Sequence, residues 1–384
     1  MSLIAPSDPA ALFQRIQDAI AGRDRQREAG SWSPASRYLD AQAHVREQAA
    51  LKRYPLPVAA VATIPLPGDW VSVRAHDLPL CIVRQTDGSL KALVNVCRHR
   101  GAAIHPDSTQ GQDLTRMTCP YHHWTYDASG ACVARPANTD FAHAPMSGCA
   151  LKEVPCTSAF GLVWVVPSVQ VKRFDWSSYF GWMGTELSSL GFGDASTSPH
   201  QRQFNVPCNW KLCVDANVET YHFPFAHKNT IASMFERDTV IQDRNGPHQR
   251  LVFPKTSARS MTEAPTSLSG YATKLNISYF FFPYTMLLWE GTHFNGYSLS
   301  PQGIDNSQVN AWLLTAEGES DRREPRYWER NFHLFWQAID EDFAMCESMQ
   351  QGLASGANEA LCFGANELAC THFHDTLERV VQAQ

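Results

Sequence analysis

Cys97 and His99 are separated by one residue, and Cys119 and His122 by two, with nineteen residues between the pairs. Thiolates and neutral imidazoles are metal ligands, and two of each can hold one zinc ion or a two-iron, two-sulfide cluster. Each pair is mixed, one Cys with one His, so each loop can offer one ligand to each iron of a diiron cluster. A second set lies farther on. His222 and His227 are five residues apart in NWKLCVDANVETYHFPFAH, residues 209–227. On a continuous helix they would sit about 140° apart, and Pro224 prevents such a helix, so the chain can turn back and bring them together. Two imidazoles plus one carboxylate form a facial triad that leaves open positions on an iron. Asp340, Glu341 and Asp342 stand in a row in LFWQAIDEDFAMCESMQQGL, residues 334–353. Phe335, Ile339, Phe343, Cys346, Met349 and Leu353 make an apolar helical stripe, and Asp342 falls near its middle. A carboxylate on a buried face is costly unless it is paired or bound to metal. Asp342 is therefore the expected ligand, and Asp340 and Glu341 are expected to be solvated.

The elements that must position these residues change character along the chain. Residues 8–30 and 37–53 read as polar helices. From Pro55 onward come short runs rich in β-branched residues, VAAVATI, DWVSVRA, LPLCIVRQ and LKALVNV, with a hairpin expected around Ala128-Ser129-Gly130 and a closing strand in FGLVWVV. Residues 209–222 have a helical pattern, and strands are expected at 249–254, 275–282, 284–290 and 308–316. Helices are expected at about 325–353 and 366–382. The fold class is α+β: an N-terminal helical arm over 1–55 packing on the catalytic part, an all-β domain over 56–167, and a domain over 168–384 with an antiparallel sheet carrying helices.

Composition excludes several classes. With 384 residues, 44% hydrophobic and 18% charged, the chain has ample core. A net charge of -6 and the lack of any Lys/Arg run argue against nucleic acid as a partner. The start MSLIAPSDPA has no signal-peptide pattern, and the apolar-rich run 275–289 is too short to span a bilayer. Cytoplasm is the expected location, and the eleven cysteines are expected to be mostly reduced. No GxGxxG or Walker-type loop occurs, so no bound flavin or nucleotide is expected.

CRHRGAAI and CPYHHWTYDASG resemble the Rieske domain of the Rieske non-heme iron oxygenases, the catalytic α-subunits of ring-hydroxylating and demethylating systems. In that family the second loop usually reads Cys-Pro-Tyr-His-Gly-Trp, and His123 stands here in place of the glycine. The family spacing makes Cys97, His99, Cys119 and His122 the [2Fe–2S] ligands, with His123 on the surface and His105 structural. The stretch NWK…ETYH…H is similar to the family's mononuclear-iron motif. The resemblance implies Fe(II) held by His222, His227 and Asp342. It also makes Glu219 the bridge between the cluster and iron sites. Most ring-hydroxylating members carry Asp at that position. Members acting on quaternary ammonium compounds carry Glu, although their usual Glu-Asn pair is Asp215-Ala216 here.

The resemblance further implies a helix-grip (START-like) catalytic fold, a homotrimer, and a NAD(P)H-dependent reductase, with or without a ferredoxin, as electron donor. The implied activity is that of a terminal oxygenase using O2 to hydroxylate or oxidatively dealkylate a small apolar, aromatic or quaternary-ammonium substrate. Cis-dihydroxylation of an aromatic ring is the alternative within the class. The rivals outside it are a Rieske electron carrier without a mononuclear iron and a ligand-binding module with structural zinc. No pocket residue is assigned. Trp289 and neighbouring Phe residues suit a cation–π contact, Arg237, Arg244 and Arg250 are expected on the surface, and Tyr221 and Trp210 are expected to pack.

Overall fold

The computed structural model describes residues 8–23 and 26–383. The chain forms two compact units. One takes in the chain up to Leu51, Phe180–Phe192 and Ser198 onward, and the other is Lys52–Tyr179 with Gly193–Thr197. Families of antiparallel strands dominate both, so the class is α+β.

In the smaller unit a five-stranded sheet runs in the order Glu153–Val154, Leu90–Val94, Leu78–Arg84, Trp70–Ala75, Gln110–Gly111. Period-two alternation lets one strand serve two cores. Leu80, Ile82, Ala92 and Val94 enter one apolar cluster, while Cys81, Val83 and Leu93 enter another. The second cluster also contains Cys97, Cys119, Trp124 and Tyr126, so the two Cys-His loops stand on packed core. The expected hairpin is present, Thr125–Asp127 pairing with Cys132–Ala134 around Gly130 at φ 88°. The expected closing strand is Leu162–Val165, between Cys156–Ala159 and Leu56–Ala60.

The larger unit is built on a seven-stranded antiparallel sheet. Its order is Thr197–Val206, Ser307–Thr315, His293–Pro301, Thr285–Trp289, Leu275–Phe281, His248–Pro254, Ile241–Asn245. The helices Pro325–Ala354 and Leu368–Gln382 lie close to their expected spans. Helix Trp210–Asn217 is shorter than the expected 209–222. Asn209 caps its start by accepting the Lys211 N–H at 3.0 Å.

The N-terminal reading needs correction. The helix expected over 8–30 is confined to Pro9–Ile20, and Ser31–Pro34 is a strand paired with Ala360–Phe363. The helix expected over 37–53 is two helices, Ser36–Leu39 and Ala41–Leu51. Asp40 divides them, because its carboxylate caps the second helix by accepting from the Gln42 and Ala43 N–H groups at 2.7 and 3.1 Å. Arg250 is not a surface residue. It is fully buried, with Glu186 and Asp243 each 2.6 Å from its guanidinium. All eleven cysteines are free, and among the described residues no helix is long and apolar enough to cross a membrane.

Candidate metal centres

In the smaller unit both Cys-His loops are closed by backbone hydrogen bonds. Cys97 N–H donates to Ala102 O at 2.8 Å and Gly101 N–H to Cys97 O at 2.9 Å. Cys119 N–H donates to Trp124 O at 2.9 Å and His123 N–H to Cys119 O at 3.0 Å. Gly101 has φ 78° and His123 φ 59°, so the second loop needs a left-handed residue where histidine stands. That conformation favours glycine. It leaves His123 exposed, apart from the buried side chains of the loop.

The loops bring the His99 and His122 rings to 4.6 Å edge to face. Trp124 stacks on His99 at 5.0 Å, the ring planes nearly parallel at 4°. Tyr126 O accepts the Arg98 N–H at 2.9 Å, so its hydroxyl proton is free to donate to Cys97 Sγ at 3.3 Å. His99 Nδ1 is buried without a hydrogen-bond partner, which suits a metal bond. A single tetrahedral zinc would hold its donor atoms within about 4 Å of one another. Among the described residues, no set of three or more donors lying within 4.8 Å of one another includes these four. His105 stacks on Trp70 at 4.1 Å, away from these donors.

In the larger unit, helix Trp210–Asn217 ends and Glu219 folds the next residues back. Its Oε2 accepts the Tyr221 N–H and, at 3.3 Å, the His222 N–H. The turn Phe223–Ala226 follows, with Pro224 in its first positions. His222 Nε2 and His227 Nε2 come to 3.1 Å, and they lie 3.3 and 3.0 Å from Asp342 Oδ1. His222 Nδ1 meets Glu219 Oε1, and His227 Nδ1 meets Glu341 Oε2 at 2.7 Å. With both Nδ1 atoms donating backward, each Nε2 presents a lone pair, as does the Asp342 oxygen. Three acceptors then converge with no donor among them, an arrangement that suits a cation. Without one, protons take its place. Burial opposes charge on His222, but Asp342 and Glu219 outweigh it and lift its pKa to about 10. His227 is raised in the same way, chiefly by Asp342 against burial, and both histidines hold the buried Asp342 low.

The acidic run separates differently from expectation. Asp342 points into the buried site at 6% exposure. Asp340 is exposed and pairs with Arg202 at 3.0 Å. Glu341 is not simply solvated, because it accepts from His227 and from the Thr230 hydroxyl at 2.8 Å. Its helix position gives no local signal for this role, since the partners lie 114 and 111 residues away.

A cavity of about 410 Å³ opens beside the triad, between the sheet and helix Pro325–Ala354. His227, Asp342, Phe335 and Ile339 line one side, and Met286 and Leu288 the sheet side. Trp289 belongs to the opposite sheet face and is fully buried, so it does not line the cavity. The aromatic wall is Phe223, Phe235, Phe253, Phe335, Tyr297 and Tyr327. Trp210 packs in the core as expected, whereas Tyr221 is 56% exposed. Asp215 is bound to the Tyr38 hydroxyl at 2.7 Å and to His374 Nε2 at 2.9 Å, and Ala216 lines the cavity. One turn beyond Asp342, the sulfurs of Cys346, Cys208 and Cys213 gather within 4.8 Å, all buried. The Cys346 thiol donates to Leu212 O at 3.4 Å, and the group packs as small apolar side chains.

Comparison with known proteins adds identity to this geometry. Residues 54–156 match the family described as Rieske [2Fe-2S] domain, and residues 193–383 the family described as ring hydroxylating alpha subunit (catalytic domain). The chain is 27% identical over 282 residues to the glycine betaine monooxygenase oxygenase subunit of Chromohalobacter salexigens, covering 71% of this chain and 61% of that protein. It is 24% identical over 319 residues to the chloroplastic choline monooxygenase of Arabidopsis thaliana, covering 80% and 72%. The chain thus spans less than two thirds of the length of the first of these relatives. Two solved structures share the fold. A quaternary ammonium Rieske monooxygenase, described for carnitine oxidation by gut microbiota, superposes with a TM-score of 0.76 at 20% identity, covering 95% of this chain and 98% of that one. Naphthalene 1,2-dioxygenase from Rhodococcus sp. gives 0.76 at 16% identity, covering 97% and 99%. The two family matches divide the chain as its two candidate ligand sets do, one pair of Cys-His loops and one His-His-Asp site, and the chain belongs to the Rieske non-heme iron oxygenases as an α subunit.

Proposed function

We propose that the chain is the terminal oxygenase of a Rieske system, an oxidoreductase that takes electrons from a NAD(P)H-dependent reductase and inserts oxygen from O2 into a small organic substrate. The observation that carries this reading is the convergence of His222, His227 and Asp342 on one wall of a substrate-sized cavity. Cys97, His99, Cys119 and His122 would hold the [2Fe–2S] cluster, and the triad would hold Fe(II). Bound there, the cluster supplies single electrons and the iron a centre where dioxygen is activated.

The chain's own residues do the rest. Glu219 and Glu341 hold the Nδ1 protons of the two histidines and keep each Nε2 aimed forward. Tyr126 donates toward a cluster sulfur, which makes the cluster easier to reduce. Phe335, Ile339, Met286 and Leu288 keep water from the substrate's reacting end. The aromatic wall and Glu290 suit an apolar, aromatic or quaternary-ammonium body. Glu219, in place of Asp, favours monooxygenation over cis-dihydroxylation, and the two relatives named as monooxygenases agree with it.

The working assembly in this reading is a homotrimer, with Glu219 also accepting a hydrogen bond from His122 of the partner subunit. Exposed aromatic residues beside each site support it: Tyr121 at 58% next to His122, and Tyr221 and Phe225 at 56% and 67% next to the triad.

Iron and acid-labile sulfide per chain test the metal assignment. Wild type is expected to hold three irons and two sulfides, and Asp342→Ala two irons with sulfide unchanged. Two irons in both proteins, fully loaded, would replace the oxygenase by an electron carrier. Loaded wild type is further expected to consume O2 when reductase and substrate are supplied, and Asp342→Ala is not.

A further inference from the structure

Most polar side chains in the cavity wall have a partner. Asn217 donates to Cys213 O at 3.0 Å, Asn331 to Tyr327 O at 2.7 Å, and Ser278 to Met286 Sδ at 2.6 Å. Glu290 lies 3.3 Å from His293 Nε2. Asn276 Oδ1 and the Tyr297 hydroxyl are buried without one, and the half-buried Lys255 ammonium has no side-chain partner among the described residues. Asn276 and Tyr297 are 6% and 1% exposed, so no bulk water compensates them. A buried polar group without a partner is costly.

Lys255 is the one Lys or Arg among the residues lining this cavity, and no described carboxylate forms an ion pair with it. It lies just beyond the strand His248–Pro254, and its backbone N–H is fixed to Lys274 O at 2.8 Å. Its stem therefore starts from a fixed point on the wall. Burial lowers its pKa, and the charge of Glu290 opposes that shift. The Asp342 carboxylate belongs to the triad, and Glu290, the other carboxylate of the wall, acts on Lys255 through its charge without forming an ion pair with it.

We propose that Lys255 anchors an anionic group of the substrate, so that the pocket selects small carboxylates or sulfonates carrying an apolar or quaternary-ammonium body. This rests on the oxygenase reading and deepens it. The Tyr297 hydroxyl can donate a neutral hydrogen bond to the same ligand, and the anchored anion sets which end of the body faces the triad.

The test uses the iron-loaded protein under argon, so that binding is read without turnover. Calorimetric affinities are measured for two matched pairs, glycine betaine against choline and benzoate against benzyl alcohol. Each pair keeps the body and exchanges a carboxylate for a hydroxymethyl group. Wild type is expected to bind the acid of at least one pair about tenfold more tightly than its alcohol, as one charge-assisted hydrogen bond predicts. Lys255→Met and Lys255→Gln, each with wild-type iron and sulfide content, are expected to bring that ratio to within about twofold, and Lys255→Arg to retain it. A preference that survives in both Met and Gln variants would overturn the proposal. So would a wild-type protein that prefers the acid in neither pair. O2 uptake is scored separately. An acid preference without O2 uptake leaves the anchor standing and removes the oxygenase. O2 uptake without acid preference does the reverse.

Discussion

His227 is held from behind by Glu341, and Glu341 is itself held by the Thr230 hydroxyl. A carboxylate on the far nitrogen fixes the tautomer of a metal-binding imidazole and makes it a better donor. Removing it is expected to weaken iron without touching the cluster. Glu341→Ala should lose about 10- to 100-fold in iron affinity, read by titration against a chelator, with sulfide per chain unchanged. Glu341→Gln keeps an acceptor for the Nδ1 proton and should lie between the two. An iron affinity unchanged in the Ala variant would show that Thr230 and packing suffice. The residue scale also shows what sequence can reveal. Asp342 is legible because a charge in the middle of an apolar helical stripe conflicts with burial. Glu341 is not, because a carboxylate on the side of that stripe conflicts with nothing until His227 is folded against it.

At the scale of elements, legibility follows locality. The helix Pro325–Ala354 carries its own 3.6-residue pattern over 30 residues, and its span is recoverable from the sequence alone. The strand Thr197–Val206, TSPHQRQFNV, buries little on either face and carries few apolar residues to alternate. His293–Pro301, HFNGYSLSP, is buried at every position, so alternation is absent for the opposite reason. Ser31–Pro34 is a strand only because Ala360–Phe363 lies beside it, more than 300 residues on. Arg250 escapes the same way. Its partners Glu186 and Asp243 lie on a helix and a neighbouring strand, and Glu186 also accepts the Tyr279 hydroxyl at 2.6 Å. This buried cluster ties those elements together, and removing Arg250 leaves the buried Glu186 without its cation, while Asp243 keeps Arg15 at 2.8 Å. Arg250→Ala is expected to cost about 3–5 kcal/mol of stability in denaturant unfolding. A loss below about 1 kcal/mol would mean that water or a neighbouring base already balances Glu186.

At the scale of the whole molecule, the two metal sites pose a question of connectivity. The chain folds as two units, with the proposed cluster ligands in one and the proposed iron triad in the other. In the proposed trimer the electron passes between subunits, so neither unit of one chain serves the other. That arrangement makes complementation possible. A chain with Cys97→Ser keeps its triad but cannot complete the cluster. A chain with Asp342→Ala keeps the cluster but not the third iron ligand. Each alone should be inactive. Unfolded together in equal amounts and reassembled with iron and sulfide, they form mixed rings in which a cluster-bearing subunit precedes an iron-bearing one at about a quarter of positions. Substrate-dependent O2 uptake should then return to about a quarter of the wild-type rate per chain. Transfer within a single chain predicts that the mixture stays as inactive as its components, because no single chain holds both sites. Glu219→Gln, introduced only into the Asp342→Ala chain, should leave the recovered rate intact, since that chain's own iron site is already idle. Introduced only into the Cys97→Ser chain, it should remove it. The asymmetry follows from Glu219 acting beside the iron-bearing His222, and equal effects in both chains would place its role elsewhere.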